Sequence, residues 1–348
     1  MNSRPERPGA LVISLDFELH WGVRDRLAAS SPYEANLRGA RDVVLRSLRL
    51  FEEMDIAATW ATVGFLFARN RDELLTYRPR VLPAYADPRL DPYGESIGAD
   101  EDEDPLHFGA SLVERIRTTP RQEIGTHTFS HYFCMEAGQT LESFRADLEA
   151  ACAIAAARDI PLRSIVFPRN QHNPAYATVL REAGIVAYRG NPDRWMWRFI
   201  DGAESRHAGK RAARMVDAYL PAFGDPTTGW DEVIDVDGLA NVRASFPLRP
   251  WTPRLRSLER LRLERLRRAI IHAARTRRVV HVWWHPHTFG AHPAQSLAFV
   301  RAALETFDDC RRRYGMRSLT MAEVADAAPG RSEPAAAFAG TTPGAGAG

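Results

Sequence analysis

Short, nearly continuous apolar runs alternate along the chain with longer segments whose apolar residues recur every three or four positions. The first run, "ALVISL" from Ala10, ends in "DFELHW". A parallel strand buried on both faces reads this way, so Asp16 and Glu18 fall at its carboxyl exit, where an α/β scaffold receives ligands. Val43, Val44, Leu48 and Phe51 then predict a helix. "IAATWATVGFLF" is β-rich and ends near Gly64, and "QEIGTHTFSH" supplies a third strand that runs into a histidine-bearing loop. Leu141, Phe144, Leu148 and Cys152 predict a helix from about Thr140 to Asp159, with Thr140 as its N-cap. "SIVFPRN" and "IVAYRG" read as strands around the helix "AYATVLREAG", which Gly184 closes. "RVVHVWWHPH" is strand-like, "AQSLAFVRAALETFDDCRRRYG" helical, and "RSLTMAEV" a final strand and turn.

This alternation predicts an α/β protein with a single domain over residues 10–326 and about seven parallel strands. A deformed or incomplete (β/α) barrel and an open doubly wound sheet both satisfy the pattern. Two long insertions, about Asn70 to Pro120 and about Asp193 to Pro253, are expected to carry local structure or act as lids. Residues 1–9 read as a flexible N-terminus and 327–348, rich in Gly, Ala and Pro, as a disordered tail.

Composition narrows the picture. At 348 residues and 45% apolar, the chain can build a full core without staples. The formal charge of +2 carries no footprint for nucleic acid, and the predominance of arginine over the single lysine, Lys210, reads as genomic bias. Cys134, Cys152 and Cys310 have neither disulfide-framework nor metal-type spacing. No signal-peptide core and no membrane-length apolar run is present, which leads to the expectation of a cytoplasmic protein. Arg254 to Arg278 forms a strongly basic helix, either a solvated face or a surface for anionic lipid or a sugar diphosphate.

The chemistry-bearing residues are few. His127 and His131 stand four apart, so one helical turn between them would aim both imidazoles at one metal ion. Glu18 would complete a two-histidine, one-carboxylate set that suits zinc or another divalent first-row metal. The bland alternative makes Asp16 a turn cap, Glu18 a solvated side chain and the histidines structural.

The ordered series "SLDFE", "ATWATVG", "THTFSH", "FPRNQ" and "VWWHPH" resembles the polysaccharide deacetylases of the NodB-homology type, carbohydrate esterase family 4, from about Ala10 to Val324. The resemblance implies a deformed (β/α) barrel and removal of an N-acetyl group from a sugar. It assigns Asp16 as catalytic base, Glu18, His127 and His131 as ligands of a divalent metal, zinc first, Arg169 as the arginine that orients the base, and His285 as the acid for the leaving amine. Asn170, Trp21 and Trp284 are candidates for contacting substrate. The chain departs from the family pattern in three places. The acidic residues are one apart, the arginine motif reads "FPRNQ", and only Asp193 in "NPDRW" offers a buttress for the catalytic histidine. The implied partner is an N-acetylated sugar, free or linked to a nucleotide or lipid carrier, with peripheral association with the inner membrane. The rivals are hydrolysis of another linear amide or ureide, and a catalytically silent subunit that binds a glycan or lipid carrier.

Overall fold

Alternate residues of β1 (Ala10–Phe17) serve two different layers. Leu11, Ile13, Leu15 and Phe17 belong to an outer core shared with the helices, whereas Ala10 and Val12 join a separate inner cluster. Ser14 and Asp16 share that inner face by parity, and all eight residues are buried. Burial on both sides is why the strand reads as an unbroken apolar run until its polar exit.

The computed structural model describes residues 7–28, 30–198, 207–220, 224–235 and 237–329. The expected flexible end therefore lies outside the described residues over 1–6, and the expected tail does so beyond 329. Residues 7–9 are docked: Gly9 O accepts from Arg317 N at 2.9 Å and Pro8 O from Trp230 Nε1 at 3.1 Å.

Around β1 the sheet continues through β2 (Ala58–Thr62), β3 (Gln122–Thr126), β4 (Ser164–Ile165), β5 (Ala187–Tyr188), β6 (Ala240–Asn241), β7 (Phe246–Pro247), β8 (Val279–Trp284) and β9 (Arg317–Leu319). Its order is β6-β5-β4-β3-β2-β1-β8-β7, every ladder is parallel, and β9 pairs with the start of β1 below β2. The sheet curls into a deformed (β/α) barrel. One interrupted stretch spans its gap: Val242 N donates to Tyr188 O on one side, and Ser245 N and Leu248 N donate to His281 O and Trp283 O on the other. This stretch comes from the second insertion, and its two-residue ladders are too short to leave a period in the sequence.

Helices whose apolar residues join the outer core cover that face of the sheet, and the last helix packs instead on the inner cluster. α1 (Glu34–Glu53) buries the predicted Val43, Val44, Leu48 and Phe51. In the first insertion stand α2 (Arg71–Thr76) and α3 (Ala110–Thr118), with two short 3-10 turns at Pro88–Leu90 and Pro92–Gly94. α4 (Leu141–Ala156) begins at the Thr140 cap, whose side chain accepts from Ser143 N. α5 (Ala177–Glu182), α6 (Ala208–Asp217), α7 (Glu259–Thr276), α8 (Pro286–Phe289) and α9 (Pro293–Tyr314) follow. The final turn is instead a helix, α10 (Met321–Ala327), started by a reciprocal cap between Thr320 and Glu323. Among the described residues no helix is long and apolar enough to cross a membrane.

Candidate metal and catalytic site

Glu18 leaves β1 on the same side as Asp16 and is 3% exposed. Leu19 then turns the chain at φ 45°, a left-handed conformation uncommon for leucine, into the 3-10 turn Leu19–Gly22. Gly22 folds back onto the carboxylate so closely that a Cβ there would lie 1.9 Å from Glu18 Oε1. A side chain at this position would have to displace the Glu18 carboxylate.

His127 and His131 converge on Glu18 without a helical turn. The loop between them places Thr128 at φ 65° and His131 at φ 57°, so it is a strained bend, not a helix. Hydrogen bonds pin it from three sides. His127 N donates to Thr62 O, Gly64 N to Thr128 O and Phe65 N to Phe129 O. Buried Asp147 of α4 accepts from Phe129 N at 2.7 Å, from Ser130 N at 3.1 Å and from the Ser130 hydroxyl. Burial pushes the Asp147 carboxyl up to about 6 even though these donors favour its ionised form.

His127 Nε2 and His131 Nε2 each lie 3.2 Å from Glu18 Oε2. His287 Nε2 lies 2.9 Å from Glu18 Oε1 and His285 Nε2 3.5 Å from it, so four imidazoles surround one carboxylate. Burial alone would raise Glu18, but the closeness of His285, His127, His131 and His287 holds it well below the usual carboxylate range. Burial drives His131 down to about 4. His127 is oriented to meet a cation. Its Nδ1–H donates to Val166 O at 2.7 Å, so a ring that carries this one proton turns a lone pair at Nε2 toward an acceptor oxygen. Two buried acceptors in contact call for a cation between them, and the donor set of two imidazoles and a carboxylate matches a zinc-class divalent ion. Glu18 with His127 and His131, and Glu18 with His285 and His287, are both close enough to hold one.

Asp16 occupies the other half of the site. Arg189, at the end of β5 and 1% exposed, donates Nη1 to Asp16 Oδ1 at 2.6 Å and Nη2 to Oδ2 at 2.7 Å. Its Nη1 also reaches Ser14 Oγ at 3.0 Å, its Nη2 reaches Asn170 Oδ1 at 2.9 Å, and the guanidinium lies over the Trp283 ring. Burial would raise Asp16, yet Arg189 and His285 keep it below its ordinary value. His285 Nε2 stands 3.4 Å from Asp16 Oδ2. Its side chain is 30% exposed, the most open of the four imidazoles on Glu18. Burial lowers His285 below the usual imidazole value against the pull of Glu18 and Asp16.

The structure thus brings together Asp16, Glu18, His127, His131 and His285. Other expected residues fall elsewhere. Arg169 does not touch Asp16; it pairs with Asp25 and Glu136 and covers the Phe133 ring. It sits at φ 57° in a turn that carries its side chain away. Asn170 accepts from Arg189, the partner of Asp16. Trp21 is 1% exposed, donates to His107 O and packs on Phe65, which makes it core. Trp284 is 1% exposed and stacked on Phe289. Asp193 is largely exposed and paired with Arg198, so it does not buttress His285.

Arg189 and His287 were not assigned from the sequence. Arg189 shares the signal that exposed Asp16, a charge ending an apolar run in "IVAYRG". His287 lies two residues beyond His285 and is held by Tyr33, whose hydroxyl is 2.8 Å from His287 Nδ1. Burial keeps the Tyr33 hydroxyl protonated far above its usual range.

No family model and no curated protein matches the sequence. Solved structures do. A protein from Mycobacterium smegmatis described as a polysaccharide deacetylase superposes with a TM-score of 0.60 at 12% identity, over 96% of each chain. PuuE allantoinase superposes with a TM-score of 0.50 at 12% identity, over 93% of each chain. The likeness runs the whole length of the curled sheet, and the chain has the fold of the polysaccharide deacetylases.

Proposed function

We propose that this protein is a metal-dependent hydrolase of carbon–nitrogen bonds that removes the N-acetyl group from an N-acetylated sugar during polysaccharide or glycoconjugate synthesis. The observation that carries this reading is the placement of Asp16 and His285, 3.4 Å apart, beside the Glu18, His127 and His131 set at the carboxyl end of the sheet. Those three residues would hold the ion, with zinc the class their donors favour. When bound, such an ion polarises an acetyl carbonyl and acidifies water. Asp16 takes the proton of the attacking water on its carboxylate, which Arg189 keeps ionised and aimed. His285, open to solvent on one side, delivers a proton to the departing amine nitrogen. Buried Glu18 is confined to holding the ion.

A sugar linked to a nucleotide or lipid diphosphate, met in the cytoplasm or at the inner membrane surface, belongs to the same proposal. Its support is the arginine-rich segment 254–278. Arg262 and Arg265 of that segment are not available to a phosphate, since they are buried over Phe299 and Phe246 and Arg265 pairs with Asp217.

Acetate release from a panel of N-acetyl sugars, sugar nucleotides and lipid-linked glycans tests the reading. Chelation should abolish release, and Asp16→Asn should abolish it with the metal retained. Ammonia or urea released from linear ureides, without acetate from any sugar, would favour the ureide hydrolase instead. Sugar binding with no metal-dependent product would favour a silent binding subunit.

A further inference from the structure

A second group of histidines lies just past the site, on side chains the mechanism does not use. His20 and His107 are 0% and 3% exposed, and His20 Nδ1 faces His107 Nε2 at 2.8 Å. The outer nitrogen of each ring is already committed. His20 Nε2 lies 2.9 Å from Leu27 O, a carbonyl that can only accept. His107 Nδ1 lies 2.8 Å from Asp104 Oδ2. Asp104 comes from the acidic stretch "GADEDEDP" and already accepts from Gly98 N at 2.9 Å and Leu106 N at 3.3 Å, so it too is an acceptor. With both outer N–H groups donated outward, the two facing nitrogens each present a lone pair. Neutral rings in that state repel, and the contact requires a positive charge between them. Glu95 Oε1 stands 3.8 Å from each of the two nitrogens. Its side chain is 28% exposed and borders a surface groove lined also by Leu74, Arg78 and Tyr93.

We propose that His20, His107 and Glu95 form a second divalent-cation site of the zinc class, one that fastens the exit of β1 to the first insertion. A zinc ion bonded at about 2.0–2.1 Å holds tetrahedral ligand atoms about 3.3 Å apart. Glu95 needs to close slightly and the imidazoles to part slightly to reach that spacing. A fourth position is left to water. Asp104 behind His107 and Leu27 O behind His20 are the outer partners that orient metal-bound imidazoles. The bond from His20 N to Leu106 O already joins the same two segments. The site is separate from the one on Glu18 and stands without the deacetylase reading.

Metal-stripped protein titrated with zinc, followed by calorimetry and elemental analysis, should take up two equivalents. Glu95→Gln, at a partly exposed side chain, should weaken one of them by about tenfold or more. His127→Ala/His131→Ala should leave that equivalent in place. Anomalous diffraction at the zinc edge should show a peak between His20 and His107. No peak there at saturating zinc, or Glu95→Gln binding both equivalents with wild-type affinity, would overturn the proposal and leave the rings sharing a proton. A single equivalent that survives His127→Ala/His131→Ala but is lost in Glu95→Gln would uphold this site and refute the one on Glu18.

Discussion

Arg189 and Asp16 meet through two parallel hydrogen bonds, of 2.6 and 2.7 Å, across the interior between β5 and β1. Both are almost fully buried, so neither charge has water to fall back on. Arg189→Met strands the carboxylate and should cost about 3–5 kcal/mol of stability by urea unfolding. Asp16→Asn/Arg189→Met should recover part of that loss, because it removes both charges. Arg189→Lys keeps the charge but not the fork, and should lower turnover without changing metal content. Unaltered turnover in Arg189→Lys would show that the fork does not aim the base.

Gly22 is the steric partner of Glu18. An alanine Cβ would enter the space of the carboxylate itself, at 1.9 Å from Oε1. Gly22→Ala should displace Glu18 and lower metal affinity by about tenfold or more while the fold survives. Circular dichroism establishes folding and a zinc titration reads affinity. Unchanged affinity in the folded variant would mean that Glu18 is not a ligand.

His285 and His287 both reach Glu18 Oε1, yet they should fail differently. His285→Ala should keep the metal and slow turnover by about 10²- to 10⁴-fold, as loss of a general acid does. His287, buried and backed by Tyr33, orients the carboxylate. His287→Ala should loosen the metal first, and excess zinc should restore part of the activity. Rescue of His285→Ala by zinc, with none for His287→Ala, would exchange the two roles.

Asp147 makes the stability of the histidine loop depend on pH. Its native pKa, about 6, lies above the ordinary 3.8 because burial penalises the charged form. The native state therefore holds a proton that the unfolded chain has released between about pH 4 and 6. This group's contribution is fully present below that window and falls by about 3 kcal/mol as pH rises through it. Asp147→Asn does not titrate there. Thermal melts from pH 4 to 7.5 should show the wild type losing stability relative to Asp147→Asn as pH rises. Parallel curves would contradict the assignment.

Much of this arrangement was readable along the chain because it follows from local periodicity. β1 is buried on both faces and so is an apolar run that ends where Asp16 and Glu18 begin. The Thr140 cap and the stripe behind it define α4 within a few residues. Histidines at strand exits stand out because apolar runs rarely end in them without a reason. These signals depend on neighbours within a turn or a strand, which the sequence states directly.

What the order of residues did not contain was the pairing of distant segments. The two-residue ladders of β6 and β7, drawn from an aperiodic insertion, bridge the barrel only because β5 and β8 offer them backbone partners. Arg189 and not Arg169 holds Asp16, since the left-handed turn at Arg169 and Asn170 sends the nearer-looking arginine outward to Asp25. His287 joins Glu18 and His107 joins His20 across separations of 269 and 87 residues. The sequence by itself determined that Asp16, Glu18, His127, His131 and His285 stand at or just beyond the ends of strands. The tertiary structure decided which of them touch, because a buried charge takes whichever partner the closed sheet brings within hydrogen-bond distance, however far away it lies along the chain.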